Sequence, residues 1–141
     1  MSKQIDPRGP RFGAAITTLV LAATLVAIPS TTATVLLGIQ TVVFALGAFV
    51  GLHAQPYGIL YRKLVAPKLG KPSELEAVEP PQFAQLVGFL FAATGLIAIL
   101  AGADLVATIA VGFALGAAFL NAVFNFCLGC EMYLIGKRIF S

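Results

Sequence analysis

Residues 105–130, LVATIAVGFALGAAFLNAVFNFCLGC, contain no charged side chain and are followed directly by Glu131. A helix needs about 20 apolar residues to cross the hydrocarbon core of a bilayer, so this stretch predicts a membrane-spanning helix. The composition of the 141 residues agrees, because 59% are hydrophobic, only 11% are charged and the mean hydropathy is +0.95. Ordinary soluble domains carry about 25% charged residues. A soluble domain is therefore excluded.

Three more uncharged runs lie upstream of this stretch, which makes four predicted spans. They cover about residues 11–29, 34–52, 84–103 and 105–127. A loop of about residues 53–83 separates the second span from the third. We predict an all-α fold, a four-transmembrane-helix bundle that forms one integral membrane domain over residues 1–141. Four spans with short connections leave no room for a separate catalytic domain.

The basic residues indicate how the chain is oriented. All nine Lys and Arg lie ahead of the first span, between the second and third spans, or after the fourth. An even number of crossings places these three segments on one side of the membrane. Lys and Arg are retained in the cytoplasm during insertion. We therefore expect both termini and the central loop to be cytoplasmic.

The two halves of the chain resemble each other. Residues 44–48 and residues 113–117 both read FALGA, within the second and fourth spans. Two such halves would be parallel helical-hairpin repeats, related by an axis along the membrane normal. After the second and fourth spans, residues 57–65 and 131–140 combine apolar and basic side chains. Both segments predict short amphipathic helices in the cytoplasmic interface.

Cys127 and Cys130 form a CxxC motif where the last span meets the second amphipathic segment. Cysteines three apart lie on one side of a helical turn, where they can close a disulfide or bind a soft metal. We interpret them as candidate catalytic residues for thiol–disulfide or sulfur-transfer chemistry. Two alternatives stay open: a metal site with His53, the only histidine, as a third ligand, and a packing role for two small side chains. The sequence identifies no cofactor.

The reactivity of the pair depends on where the fourth helix ends. An unbroken helix through Cys130 would place both thiols at the negative end of the helix dipole, which disfavours a thiolate. A break near Gly129 would place Cys130 at a helix start and make it the attacking thiol, with Cys127 resolving. A permanent structural disulfide is not expected, because the cytoplasm keeps thiols reduced.

Few other polar groups lie within the spans. Asn121 and Asn125 are four residues apart and share one face of the fourth span, and Gln40 and Gln85 lie in or near the second and third spans. Such amides usually bond between helices, and a polar path toward the cysteines is the alternative. Glycines predict faces for close helix approach, with spacings of four in two places: Gly38, Gly47 and Gly51 in the second span, and Gly112 and Gly116 in the fourth. No charged residue lies in the middle of a span, which argues against a proton pump or an ion channel.

Several motifs resemble one bacterial membrane family. They are residues 6–12 (DPRGPRF), 60–62 (LYR), 67–70 (PKLG), 79–85 (EPPQFAQ) and 126–133 (FCLGCEMY). The chain resembles the family called domain of unknown function 4395 over nearly its whole length. The resemblance implies a multi-pass protein of the bacterial cytoplasmic (inner) membrane. It also suggests a setting among thioredoxin-like and sulfurtransferase proteins, and it carries no catalytic assignment.

The leading hypothesis is a small membrane protein whose cytoplasm-facing CxxC relays electrons or sulfur. Its partner would be a soluble thioredoxin-like protein, a sulfurtransferase or a lipid quinone. As an enzyme it would be at most a thiol–disulfide oxidoreductase. One alternative is a non-enzymatic accessory or assembly subunit of a larger membrane complex. Another is a metal-binding protein that joins two CxxC pairs at a homodimer interface. No pattern indicates a nucleic-acid partner.

Overall fold

A computed structural model describes residues 4–70, 75–124 and 126–140 of the chain. In chain order the helices are α1 (Arg8–Ala27), α2 (Thr31–Ala45), α3 (Pro56–Leu60), α4 (Ala66–Leu69), α5 (Glu79–Leu100), α6 (Asp104–Phe124) and α7 (Leu128–Phe140). A π-helical turn, Leu46–Val50, prolongs α2, a second one, Tyr61–Val65, joins α3 to α4, and Leu52–Ala54 form a 3₁₀ turn. Two short strands, β1 (Gln4–Ile5) and β2 (Glu76–Ala77), pair antiparallel, with Ile5 opposite Glu76.

Four helices are long and apolar enough to cross a membrane: α1, α2 with its π-helical turn, α5 and α6. The all-α, four-span prediction is therefore confirmed, and the chain is a multi-pass membrane protein. The helix ends differ from the predicted ones by a few residues. Helix α5 begins at Glu79 rather than near residue 84 because Pro80 and Pro81 fit the first helical turn, where no amide donor is needed.

The four spans pack as a ring. Helix α1 contacts α2 and α6, and α5 contacts the same two helices. The short helices follow the same order, since α3 packs on α1 and α7 packs on α5. Exchanging the two hairpins leaves this contact pattern unchanged. The sequence repeat and the parallel arrangement of the hairpins stay predictions.

The half of the bundle near the short interhelical turns is closely packed. Leu21 of α1, Leu37 of α2 and Val111 of α6 are fully buried there. Gly95 of α5 lets these helices approach, because a Cβ at that position would lie 3.2 Å from both Leu37 Cδ2 and Val111 Cγ2. Apolar contact of this kind packs the turn end of the bundle closely.

The predicted glycine faces are only partly correct. Gly47 does allow close approach, because a Cβ there would lie 2.6 Å from Gln85 Oε1. Gly38, Gly112 and Gly116, in contrast, would find nothing within 4 Å. In α6 the two glycines face outward because alanines occupy the inward face, where those at positions 107, 110 and 114 are buried.

The two predicted amphipathic segments form helical turns at the other end of the bundle. α7 packs on α5, where Phe83 and Tyr133 place their ring centroids 5.7 Å apart. The remaining apolar side chains of α7, including Ile135, Ile139 and Phe140, are exposed together with Lys137 and Arg138. Such a mixed surface is typical of a helix that lies in the membrane interface.

Candidate functional site

The sulfur pair lies at a break between two helices. Helix α6 ends at Phe124 and α7 begins at Leu128, so Cys127 is the residue that precedes α7. Its Sγ accepts a hydrogen bond from the Cys130 backbone N–H (3.1 Å), and its carbonyl accepts one from the Glu131 N–H (3.0 Å). An acceptor in this position satisfies one of the unpaired amides of the first helical turn. Cys127 is the N-cap of α7.

This break differs from the expected one near Gly129. Gly129 is inside α7 and is buried, and a Cβ there would lie 2.7 Å from both Cα and Cβ of Ala84. It therefore allows the first turn of α7 to pack directly on the backbone of α5 and does not end a helix. The helix start belongs to Cys127, so the chain follows neither the unbroken helix nor the break near Gly129 that would have placed Cys130 there.

Cys127 and Cys130 are joined by a disulfide, with their Cα atoms 5.1 Å apart. Both residues are half-buried. The turn at the start of α7 thus brings the two sulfurs into bonding contact without any other element. A pair that can close in this way is what a cycle between dithiol and disulfide needs.

His53 is not part of this site. Its side chain is exposed, it packs against Gly51, and its backbone carbonyl accepts a hydrogen bond from Arg62 Nη2 (2.8 Å). Gly51 has φ +137°, a backbone conformation that residues with a side chain rarely adopt. This turn directs the chain away from α2. Within residues 4–70, 75–124 and 126–140, no three His, Cys, Asp or Glu side chains cluster as metal ligands. The metal alternative thus lacks its third ligand there.

The cysteines line a partly enclosed cavity of about 900 Å³ in the half of the bundle opposite the interhelical turns. Asn121 of α6 and Gln85 of α5 line the same cavity as the two cysteines. Most of the remaining wall is apolar and small: Ala14, Phe44, Gly88, Ala114, Ala117 and Ala118. Asn125, the other predicted amide, lies outside the described residues. Asn121 and both cysteines thus line the same cavity, and the polar path stays a prediction.

A chain of polar side chains lies beside this cavity. Tyr57 Oη donates to Gln40 Oε1 (2.8 Å), and Gln40 Nε2 donates to Thr17 Oγ1 (3.4 Å). Gln40 is fully buried, so these bonds satisfy an amide that would otherwise be costly inside a membrane. Burial also raises the pKa of the Tyr57 hydroxyl above its usual value. The interpretation of Gln40 as an interhelical hydrogen-bonding residue agrees with this geometry.

Gln55 is a residue that sequence reasoning missed. It is the N-cap of α3, its Oε1 accepts from the Gly58 N–H (2.8 Å), and its Nε2 donates to Gln85 Oε1 (3.4 Å). The Gln55-Pro56 dipeptide contained a signal for this role, since proline is favoured at the first position of a helix. Gln55 and Gln85 thus connect the first helix break to α5.

The N-terminal segment covers the polar end of the cavity. Asp6 pairs with Arg8 (2.9 Å) and accepts a hydrogen bond from Tyr61 Oη (2.9 Å). Hydrogen bonding from Arg8 lowers the pKa of the Asp6 carboxyl, and burial, with a further contribution from Asp6, raises the pKa of Tyr61. Ile5 of β1 and Glu76 of β2 line the same end. These contacts close the bundle beside the cysteines.

Arg11 joins α1 to the end of α6. Its Nε donates to the Ala122 carbonyl (3.1 Å) and its Nη2 to the Val123 carbonyl (3.3 Å). Carbonyls at the end of a helix lack partners within the helix, and a cation there also interacts favourably with the helix dipole. This contact holds the last turn of α6 in place immediately before the cysteine turn.

Fold and site together define a multi-pass α-helical membrane protein with a disulfide at the start of a short helix, on the wall of an internal cavity. The chain belongs to the family described as domain of unknown function (DUF4395), whose model matches residues 5–138. No curated protein and no solved structure shows a significant match to it. The predicted family is confirmed.

Proposed function

We propose that this protein is a membrane thiol–disulfide relay in which Cys127 and Cys130 alternate between disulfide and dithiol. The observation that supports this best is the disulfide at the start of α7, on the wall of the cavity. A helix N-terminus stabilises a thiolate. The Cys130 N–H already donates to Cys127 Sγ. Cys127 is therefore the sulfur that carries negative charge in the dithiol form.

The partner in this proposal is the dithiol of a soluble thioredoxin-like protein. One partner thiolate attacks Sγ of Cys130, the Cys127–Cys130 bond breaks, and its electron pair leaves on Cys127. The second partner thiolate then attacks the first partner sulfur and displaces Cys130. The partner leaves as a disulfide, and its two protons and two electrons stay on Cys127 and Cys130. Cys127 is displaced first because it is the better leaving group of the two sulfurs.

The exchange takes place on the cytoplasmic side of a bacterial inner membrane. The positions of basic residues support this orientation. Arg8, Arg62 and Lys137 are all at the cysteine end of the bundle, and Lys and Arg are retained on the cytoplasmic side during insertion. In a cysteine-free background, Ala103→Cys should react with an impermeant maleimide in intact cells. Lys137→Cys should react only after the membrane is permeabilised. The opposite pattern would reverse the orientation.

Trapping tests the relay directly. The Cys127→Ser variant keeps Cys130, the sulfur that carries the mixed disulfide, and loses Cys127, the thiol that would displace the partner, so it should accumulate a mixed disulfide with its partner in cells. The Cys127→Ala/Cys130→Ala double variant is the matched control and should trap nothing. The relay is excluded if neither Cys130→Ser nor Cys127→Ser forms a mixed disulfide while the native pair keeps one redox state. A persulfide on Cys127 would identify the sulfur-transfer form of the same site.

A second candidate is an accessory or assembly subunit. A Cβ at Gly38, Gly112 or Gly116 would meet nothing within 4 Å. These positions therefore leave small-residue surfaces for close contact with another membrane helix or a second copy. This function predicts a stoichiometric partner after purification in mild detergent. It also predicts that the Cys127→Ala/Cys130→Ala variant supports growth and assembly as well as the native protein does.

A further inference from the structure

We infer that the cavity binds a membrane quinone, with its head next to Cys127 and Cys130 and its tail leaving past Phe91 and Phe113 into the lipid. This inference rests on the proposed relay, because it names the acceptor that returns the dithiol to the disulfide. Four properties of the cavity support it: its opening, its size, its polar groups and the chemistry of the sulfur pair.

The cavity reaches the lipid-facing surface. Phe91 of α5 and Phe113 of α6 line it, although they are 37% and 64% exposed, and their ring centroids are 6.0 Å apart. Both residues lie near the middle of their spans, at the depth of the hydrocarbon core. A ligand that enters past these exposed rings comes from the bilayer. Lipid solubility is therefore a property of the occupant.

The size of the cavity suits a molecule of cofactor dimensions. Its volume of about 900 Å³ lies within the range of roughly 300–1,000 Å³ that is typical of ligand sites. Small side chains at Ala114, Ala117 and Ala118 leave apolar space in the cavity beside the rings. A planar ring with an apolar chain fits such a space, since most of its surface is apolar and its few polar atoms lie at the edge.

Two amides near the sulfurs can recognise the ring oxygens. Asn121 and Gln85 line the cavity, and neither the Asn121 amide nor Gln85 Nε2 donates a hydrogen bond to the part of the chain that the structure describes. A quinone carries two carbonyl acceptors and no donor. Donors without charge in an apolar cavity are therefore the right complement, because they orient the ring without the cost of burying an ion.

The electron balance matches the sulfur pair. Oxidation of the dithiol breaks two S–H bonds, forms the Cys127–Cys130 bond and releases two electrons and two protons. A quinone takes up two electrons and two protons, one proton on each carbonyl oxygen, and leaves as the quinol. The step needs no further oxidant. The disulfide and the cavity wall are in contact, so the reaction requires no second protein.

The test uses the full chain in nanodiscs, reduced and then freed of reductant. Addition of decyl-ubiquinone should give about one quinol per reduced protein, with loss of both free thiols. The Ala117→Phe variant, which fills the cavity, should reduce the quinone at least about tenfold more slowly and still exchange with soluble dithiols. Ala15→Phe adds the same side chain to an exposed position of α1 outside the cavity and should react like the native protein.

Failure of the inference and failure of the relay give different results. A dithiol form that exchanges with soluble dithiols but reduces no quinone would overturn the quinone site and leave the relay intact. A pair that exchanges with no dithiol would overturn the relay itself. If Ala117→Phe does not fold, an azido-quinone photolabel on the native chain decides the question. The label should attach to α5 and α6, and attachment elsewhere would refute the site.

Discussion

The chain leaves the membrane twice at the cysteine end of the bundle, and the two breaks have the same construction. After α2, Gln55 caps α3 and its side chain accepts the N–H of Gly58, three residues on. After α6, Cys127 precedes α7 and its side chain accepts the N–H of Cys130, again three residues on. Both breaks solve one problem, which is that the first amides of a helix lack partners within it.

The difference between the breaks is chemical. An amide is the cap at Gln55 and a glycine follows three residues later, whereas the second break has sulfur at both positions. The first break shows that this geometry does not require cysteine. Sulfur at Cys127 is therefore not needed for the cap, since an amide can fill the same structural role. Both breaks line the cavity, together with Asn121.

The largest effect is expected from giving the second break the residues of the first. The double substitution Cys127→Gln/Cys130→Gly should remove all exchange with dithiols, because both sulfurs are lost, while the amide keeps the cap. Exchange is measured from thiol counts after addition of a reduced dithiol protein. Retention of exchange in this variant would show that the cysteines are not the site. The matched variant Gln55→Ala should exchange at the native rate.

The packing of the second break is tested by adding one methyl group. Gly129→Ala should destabilise the protein by about 1–3 kcal/mol, because its Cβ would lie 2.7 Å from the Cα of Ala84. Gly136→Ala, on the same helix, meets nothing within 4 Å and should be neutral or slightly stabilising. Thermal unfolding in detergent measures both. Equal stability of the two variants would contradict the close contact of α7 with α5.

The cap of the first break is tested by removing it. Gln55→Ala loses the hydrogen bonds to Gly58 and Gln85, and it should lower the free energy of unfolding by about 1–2 kcal/mol. Thr94→Ala, which removes an exposed hydroxyl from α5, should change it by less than about 0.5 kcal/mol. Unfolding in a mixed-detergent titration distinguishes the two. An unchanged Gln55→Ala variant would mean that the amide cap is dispensable.

The smallest effect is expected on the melting temperature when the pH is lowered. The pKa of Asp6 is lowered in the folded protein, chiefly by its hydrogen bond with Arg8, so deprotonated Asp6 contributes stability that is fully present above its usual pKa. That stability is lost as the pH falls below about 4. The melting temperature of the native protein should drop there more than that of Asp6→Asn, which has no carboxyl at this position. Parallel curves would exclude the contribution of this pair.

Much of the fold could be predicted because membrane insertion reads local properties. Uncharged runs of helical length identify the four spans, as residues 105–124 show, and mixed apolar and basic segments identify α3 and α7. The position of Cys127 and Cys130 at the end of the last span followed from the same length argument. The role of Gln40 in bonding between helices also agreed with the interpretation, because an amide in a span needs a partner.

The details of the site depended on contacts between distant segments. No local signal places Gly129 against Ala84, and that contact packs the first turn of α7 on α5. Nor does any local pattern distinguish glycines that face a neighbour, such as Gly47, from those that face outward, such as Gly112. These choices depend on how each helix is rotated about its own axis, and neighbouring helices set that rotation.

By itself, the sequence determined the number and order of the spans, the interfacial helices and the presence of a sulfur pair at the membrane boundary. Length and hydrophobicity act on each segment separately, so no partner is needed to read them. Only the tertiary structure decided that Cys127 caps α7, that no third metal ligand clusters with the sulfurs among the described residues and that the pair lines a cavity whose wall includes Phe91 and Phe113. The physical reason is that a cavity is a space between helices, and its shape exists only once those helices have packed.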